Sequence, residues 1–376
     1  MIQRAAALNP TNAVPKRVLQ ISKELGDFIL VDQVCWKRFP RGNVEGAILI
    51  EADTFLLFVF KLSGFLIKKK YRVLLFDDMR FLPLALFLKL MTGAMLIYNR
   101  QEVPTVDASI FLARRFGLPK GGAWKIAESI ESFFGRRLDA VLSIPLSADG
   151  FARLQAWGHP IASIWNVPEL PSTGNVAPRS ISSGNSVLLI YSGSISFENG
   201  LVSYLRLARR LHDSNSGRVV RLVLIGRMWR ITLNELNSLI IKEACQGLVE
   251  YHEWVPYDEL LTLLAEADIG LALTDPSFVK HSHMGEGASR KVFTYMAVGL
   301  PVISGGAFGR VVAENKAGYF VQYDDIDAMF YAAQDIVLNR SMGNALGNNG
   351  LLAVQERYNW DCEREKVRMI LSEVIQ

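Results

Sequence analysis

Two adjacent cations at the start of a predicted helix are the first residues of this 376-residue sequence whose placement suggests chemistry. In Gly285-Glu286-Gly287-Ala288-Ser289-Arg290-Lys291, which runs into Val292-Phe293-Thr294-Tyr295-Met296-Ala297, Arg290 and Lys291 sit where the helix dipole is already positive. That costs up to about 1 kcal/mol unless an anion lies close or both side chains extend into water. A diphosphate would supply the anion. The turn Tyr191-Ser192-Gly193-Ser194 is a second candidate: glycine lets the backbone approach a phosphate, and the helix N-terminus beyond adds partial positive charge. Many strand-to-helix turns carry a glycine for steric reasons alone, so this turn gains meaning only from its surroundings. His281 and His283, in the loop before Lys291, and Glu102, after a strand in the first half, are further candidates for substrate contact.

These residues need a scaffold that brings strand ends and helix starts together. Apolar runs of strand length alternate with helical-period segments along the whole chain, the pattern of βα units around parallel sheets. In the first half, 5–8, 28–34, 46–50, 71–76, 94–98, 140–144 and 161–165 read as strands. Helices are predicted over 17–25, 54–67, 81–91 and around 124–134. A stretch rich in Pro, Ser and Gly over 169–186 reads as a linker. A second series follows, with strands at 187–191, 219–225, 247–251, 269–273 and 301–304, and helices at 201–211, 258–265 and 291–297. Ligands of open parallel sheets bind outside the carboxyl ends of the strands. That rule selects the turns at Gly193, at Gly226-Arg227, at Trp254-Val255-Pro256 and at Asn99-Arg100-Gln101-Glu102.

The length suits two domains, each with its own core. Net charge is only +4, but residues 1–170 hold 22 Lys+Arg against 15 Asp+Glu, and the remainder 19 against 22. The basic half suggests an acidic partner on that side, unless the charge is merely solubilising. Cys35, Cys245 and Cys362 form no metal-binding or disulfide pattern, which fits a reducing cytoplasm. The first ten residues do not read as a secretory signal. The apolar stretch Phe55 to Ile67, followed by Lys68, Lys69 and Lys70, is shorter than the ~20 residues of a spanning helix. It reads either as an interfacial helix facing anionic lipid or as a core helix with a basic end.

The segment SRKVFTYMAVGLPVIS resembles the "P-x-K-x-x-E-Y-M-A-x-G-x-P-V-I" signature of the large retaining glycosyltransferase group often called family 4. VLLIYSGSI, VLIG and YHEWVPYDELLTLLAEADIGLAL resemble the opening strand and turn, the second strand, and the next strand-loop-helix-strand of that family's C-terminal domain. In the first half VPKRVLQISKELGDFILVDQVCWKR, YRVLLFDDMRFLPLALFLKLMTGAMLIYNRQEVP and RRLDAVLSIPLSADGFARL resemble its βα units. SIWNVPEL resembles its entry to the linker, and YNWDCEREKVRMIL its final helix.

The resemblance implies the α/β GT-B fold, two Rossmann-like domains facing each other across a cleft. Residues 1–170 would be the acceptor side, 185–345 the nucleotide-sugar side, and 346–376 a C-terminal helix crossing back. It implies transfer of a sugar from a nucleotide-diphosphate donor with retained anomeric configuration, onto a sugar, lipid or protein acceptor such as a surface polysaccharide or glycolipid precursor. By position, Lys291 and Arg290 would meet the diphosphate, with Gly193, Ser194, Gly226 and Arg227 alongside. Trp254 and Val255 would border the base, and Glu286 and Glu102 would be the catalytic carboxylates. No metal or other cofactor is expected, since lysine, arginine and helix N-termini can stabilise a leaving diphosphate and no D-x-D motif is present. A nucleic-acid partner is not expected. The expected location is cytoplasmic, and where the Phe55 to Ile67 segment is read as interfacial it is peripheral at the inner face of an anionic membrane.

Departures from the family pattern keep other readings open. Thr294 stands where the family has the glutamate that holds the ribose, Ser194 and Asn199 where it has an arginine and a lysine, and Gln101 where it has a histidine. A catalytically weak or inactive subunit that binds another glycosyltransferase, or a nucleotide-sugar epimerase of the same fold, would also fit.

Overall fold

The structure is a computed structural model and describes residues 4–9, 16–26, 30–37, 48–100, 104–168, 186–214, 218–276, 289–306 and 309–375. Contacts group the described residues into two units, one within 1–166 and 363–375, the other within 167–276 and 289–362.

In the first unit, short and mostly apolar runs form the parallel strands β1 (Arg4–Asn9), β2 (Leu30–Lys37), β3 (Ile48–Glu51), β4 (Val73–Phe76), β5 (Met95–Arg100), β6 (Ala140–Ser143) and β7 (Ile161–Ser163). Their spatial order is β3-β2-β1-β4-β5-β6-β7. The weakly apolar run at 5–8 is thus a central strand, paired on both sides. Helices α1 (Lys16–Gly26), α2 (Phe55–Lys69), α3 (Leu82–Thr92), α4 (Pro104–Phe116), α5 (Lys120–Gly135) and α6 (Ala148–Gln155) connect them. Winding reverses at β1, so right-handed crossovers put α1 on one face and α2, α3, α5 and α6 on the other. Phe58, Leu62 and Leu66 of α2, at helical spacing, pack with Leu82, Ala85 and Leu88 of α3 against Leu74, Phe76, Leu96 and Tyr98 of the sheet.

The second unit repeats the plan with β8 (Ser186–Ser192), β9 (Val219–Ile225), β10 (Val249–His252), β11 (Ile269–Ala272), β12 (Val302–Gly305) and β13 (Gly318–Val321), in the order β10-β9-β8-β11-β12-β13. Its helices are α7 (Leu201–Ser214), α8 (Leu233–Lys242), α9 (Tyr257–Glu266), α10 (Arg290–Ala297), α11 (Gly309–Glu314), α12 (Ile326–Leu338) and α13 (Arg340–Glu356). Winding reverses at β8, whose buried Val187, Leu189 and Tyr191 lie in the middle of the core.

The final helix, α14 (Trp360–Ile375), joins the first unit from Glu363 onward. Two arginines one turn apart, Arg364 and Arg368, converge on the buried Glu24 of α1 at 2.9 and 3.2 Å. Arg72 donates to the Ile375 carbonyl at 3.0 Å. The sequence pattern puts the start of this crossover at 346, but α13 runs through that position and its residues cluster with the second unit. Helix α4 also fills a stretch with no predicted element, opening with proline at its first helical position, where a missing N–H costs nothing.

Candidate functional site

At the carboxyl edge of the second sheet, two turns are interlocked. Gly193 ends β8 with φ +145° and donates its N–H to the Ile225 carbonyl at 2.8 Å. Gly226 ends β9 with φ +140°, and a Cβ there would lie 1.9 Å from the Gly193 carbonyl oxygen. Only glycine fits at that position. Beyond them Ile195 donates to Arg227 and Trp229 to Ile195, so the ladder continues past the strand ends. Gly226 donates in turn to His252 at the end of β10, two residues before the exposed Trp254. The Gly193, Gly226 and Trp254 turns therefore line the sheet edge in that order, with Arg227 and Ser194 exposed between them.

Helix α10 closes over the first turn. It begins at Arg290 after the buried Ser289, and places the Lys291 side chain against Gly193, where an added Cβ would meet Lys291 Cε at 2.8 Å and Nζ at 3.3 Å. The ammonium lies 5.2 Å from the Tyr191 ring centroid. Burial lowers the Lys291 pKa to about 8. A half-buried ammonium beside a glycine turn and a helix N-terminus is the kind of group that pairs with an anion.

Two tyrosines hold this geometry, and neither stood out in the sequence because both fit an apolar core pattern. Tyr295, one turn after Lys291, accepts from the Ser192 N–H at 2.7 Å, and its hydroxyl lies 3.1 Å from Ser192 Oγ. Burial pushes Tyr295 up to about 12, so it stays a neutral phenol. Its ring packs over Gly270 of β11, where a Cβ would come within 2.6 Å. Tyr191 donates to the Ser194 carbonyl at 2.8 Å, an oxygen that also accepts from Asn199 Nδ2 at 2.9 Å. Asn199 thus steadies the turn. Thr294 is buried, and its hydroxyl donates to the Arg290 carbonyl one turn back at 3.0 Å.

Nearby, the hydroxyls of Ser289, Thr274 and Ser304 are buried and have no hydrogen-bond partner among the described residues. Such orphaned groups are uncommon in a folded chain. Glu286, His281 and His283 lie outside the described residues.

The carboxyl edge of the first sheet carries its own polar cluster. Arg100, last in β5, pairs with Glu131 of α5 at 2.8 Å, both side chains buried. Tyr98 stacks on Phe76 with ring centroids 5.3 Å apart, and desolvation raises its pKa well above the usual phenol range. The Tyr98 hydroxyl, both amide atoms of Asn99 and the Ser143 hydroxyl are buried without hydrogen-bond partners among the described residues. Gln101 and Glu102 lie outside the described residues.

Residues 186–339 match the family described as glycosyl transferases group 1. No curated protein matches the sequence. Among solved structures, the chain is similar to the sucrose-phosphate synthase of Thermosynechococcus elongatus at TM-score 0.71 and 14% identity, over 99% of this chain and 98% of that one. It is similar to Anabaena HepE in complex with UDP-glucose at TM-score 0.70 and 10% identity, over 98% and 99%. The lipopolysaccharide outer core galactosyltransferase WaaB, in its apo form, matches at TM-score 0.61 and 13% identity over 99% of both chains. Likeness at such low identity is likeness of fold, and it extends over nearly the whole chain. The chain therefore has the GT-B fold, and its residues 186–339 form a glycosyl transferases group 1 domain, the mark of a transferase enzyme.

Proposed function

We propose that this enzyme binds a nucleoside diphosphate sugar at the Gly193 turn and transfers the sugar, with retained anomeric configuration, to an acceptor met at the inner, cytoplasmic face of an anionic membrane. The acceptor class is a surface polysaccharide or glycolipid precursor. The observation that carries the donor half is the half-buried Lys291 ammonium against Gly193, at the start of α10. In this reading Lys291, Arg290 and the amides of the helix start take up the charge of the leaving diphosphate, and no metal is required. Trp254 and Val255 border the base, and Thr294 faces the ribose. Glu286 and Glu102 keep the catalytic roles that the family resemblance gives them.

Uridine is the first base to test, because HepE was solved with UDP-glucose and an E. coli protein of the same fold with UDP-2-fluoro glucose. Calorimetric titration with UDP, GDP, ADP and dTDP, in buffer with EDTA, measures competence and base preference together. Lys291→Ala should weaken the preferred nucleotide by about 1 to 3 kcal/mol. Unchanged affinity in a folded Lys291→Ala protein would remove Lys291 from the site.

One observation favours the rival reading, a weak or inactive partner subunit. Asn199 and Ser194 stand where cations are expected, and both help to brace the turn. A chain that binds none of the four nucleotides would be that subunit. An epimerase would release an altered nucleotide sugar without any acceptor, which product analysis detects.

A further inference from the structure

The outer surface of α2 and α3 in the first unit is apolar where a helix facing water is normally polar. Leu56 and Phe60 on α2, and Phe87, Leu90 and Met91 on α3, are all exposed, Leu56 to 81% and Leu90 to 78%. The spacing is four residues on α2 and three to four on α3, so each set forms a line along its helix. The two helices pack side by side on the same face of the sheet, their other sides buried in its core. Single exposed apolar residues need no explanation, whereas a grouped set on adjoining helices marks an interaction surface.

Cations accompany this surface. Helix α2 ends at Lys68 and Lys69, followed by Lys70, all exposed. On the same face, α5 ends just before the exposed Arg136 and Arg137. In parallel βα units the helices run the same way, so these ends reach the same edge of the sheet. Complementing the helix dipoles explains one or two cations at each end, but not the apolar residues beside them. Between α5 and α6 lies a groove of about 930 Å³, lined by Arg136, Arg137, Arg153, Phe133 and Trp157. Arg153 is paired with Glu128, and Arg137 stacks on Phe133 at 4.0 Å from the ring centroid. Three arginines against one carboxylate leave the groove cationic, with aromatic walls.

We propose that this helix layer seats the first unit on a bilayer containing anionic phospholipid. Leu56, Phe60, Phe87, Leu90 and Met91 enter the acyl boundary, Lys68, Lys69 and Lys70 meet lipid phosphates, and the groove between α5 and α6 takes a phospholipid headgroup. Interfacial binding of this kind combines buried apolar area with electrostatic attraction to anionic lipid. Its biological purpose rests on the reading that the acceptor is carried by a membrane; the docking itself does not. None of the described helices is long and apolar enough to cross the bilayer, so attachment would be at the surface.

Flotation of the full chain with vesicles, in the absence of nucleotide, tests this. Vesicles of phosphatidylcholine with about a third phosphatidylglycerol should carry the protein at low salt and release it at high salt. Pure phosphatidylcholine should carry much less. The triple substitution Lys68→Gln, Lys69→Gln, Lys70→Gln should lower partitioning about a hundredfold, at about fivefold per lysine. Phe60→Ser with Leu90→Ser, both at exposed positions, should weaken binding while leaving the salt dependence in place. Arg136→Gln with Arg153→Gln should reduce the preference for anionic over neutral vesicles. Failure to float at low salt, or equal flotation with neutral vesicles, overturns the proposal. So does a concentration-dependent dimer in solution that Phe60→Ser with Leu90→Ser abolishes, because the face then belongs to a second copy. Since no donor is present, a failed flotation leaves nucleotide binding untouched, and an inert donor site would leave flotation untouched.

Discussion

The Lys291 ammonium lies 5.2 Å from the centroid of the Tyr191 ring, while the Tyr191 hydroxyl donates to the Ser194 carbonyl at 2.8 Å. One aromatic residue thus supports the cation on its face and braces the glycine turn with its edge. The ring offsets part of the cost of partly desolvating the ammonium. The rest of that cost shows in the Lys291 pKa, brought down to about 8 by burial.

Nucleotide affinity should therefore depend on pH in a defined direction. Below about pH 8 Lys291 is charged and can meet a diphosphate; as the pH rises through 8 it loses its proton and affinity falls. The fall approaches tenfold per pH unit, because binding must then restore the proton. Calorimetry across the range should show a plateau on the acid side and a decline on the alkaline side. Lys291→Arg, which does not titrate there, should flatten the decline. Equal affinity on both sides of pH 8 in the native chain would mean that Lys291 does not meet the diphosphate.

Stability should respond in the opposite sense. A lysine whose folded pKa is about 8 against an ordinary 10.5 favours the unfolded chain while it is charged. The penalty is fully present below pH 8 and fades as the pH rises toward 10.5. Lys291→Met should thus stabilise the ligand-free protein at neutral pH by about 1 to 3 kcal/mol, while weakening diphosphate binding. Urea unfolding at neutral and alkaline pH checks this: the gain should shrink at the higher pH. A variant less stable than the native chain would show that Lys291 contributes more contacts than its charge costs.

Tyr295→Phe removes one oxygen and leaves the Ser192 N–H and hydroxyl without their partner, both in a buried setting. An unsatisfied buried donor costs about 1 to 3 kcal/mol. Because Ser192 directly precedes Gly193, the turn should loosen and nucleotide affinity should fall together with stability. A loss of stability with affinity unchanged would make Tyr295 a core residue only.

The architecture was largely readable from the chain because buried parallel strands and their helices announce themselves as alternating apolar runs. The carboxyl-edge rule marks the Gly193 and Gly226 turns, and the cation pair at a helix start marks Lys291. The supporting residues were not readable, for a physical reason. Tyr191, Tyr204 and Tyr295 sit at core positions of their elements, and the hydroxyls that do the bracing extend to turns far away in sequence: Tyr204 accepts from the Leu273 N–H and Tyr295 from the Ser192 N–H. The buried Arg100–Glu131 pair is similarly hidden, because its partners are separated by 31 positions and the sequence shows only two ordinary charged residues. Glu286 and Glu102, prominent in the sequence, fall outside the described residues.

Thr294 offers the sharpest separation between an active enzyme and a degenerate one. It stands where the family resemblance expects a glutamate on the ribose, one turn along α10 from Lys291, and it is only 4% exposed. Its hydroxyl proton is already given to the Arg290 carbonyl at 3.0 Å, so it has only acceptor lone pairs left for a ligand. A glutamate could accept from two hydroxyls at once. It would also stand three and four residues from Lys291 and Arg290, the spacing at which helix side chains meet, which offsets the cost of burying the carboxylate. Thr294→Glu is therefore expected to tighten nucleotide-sugar binding by about 1 to 3 kcal/mol, the scale of hydrogen bonds to charged groups. Calorimetry with the preferred donor, alongside a melting curve to show that the variant folds, measures it. If the native chain and the variant are equally inert, the donor site has been lost and a partner-binding subunit is the better description. If the native chain binds well and the variant does not, the threonine belongs to a rearranged pocket, and the ribose lies elsewhere along the edge formed by Gly193, Gly226 and Trp254.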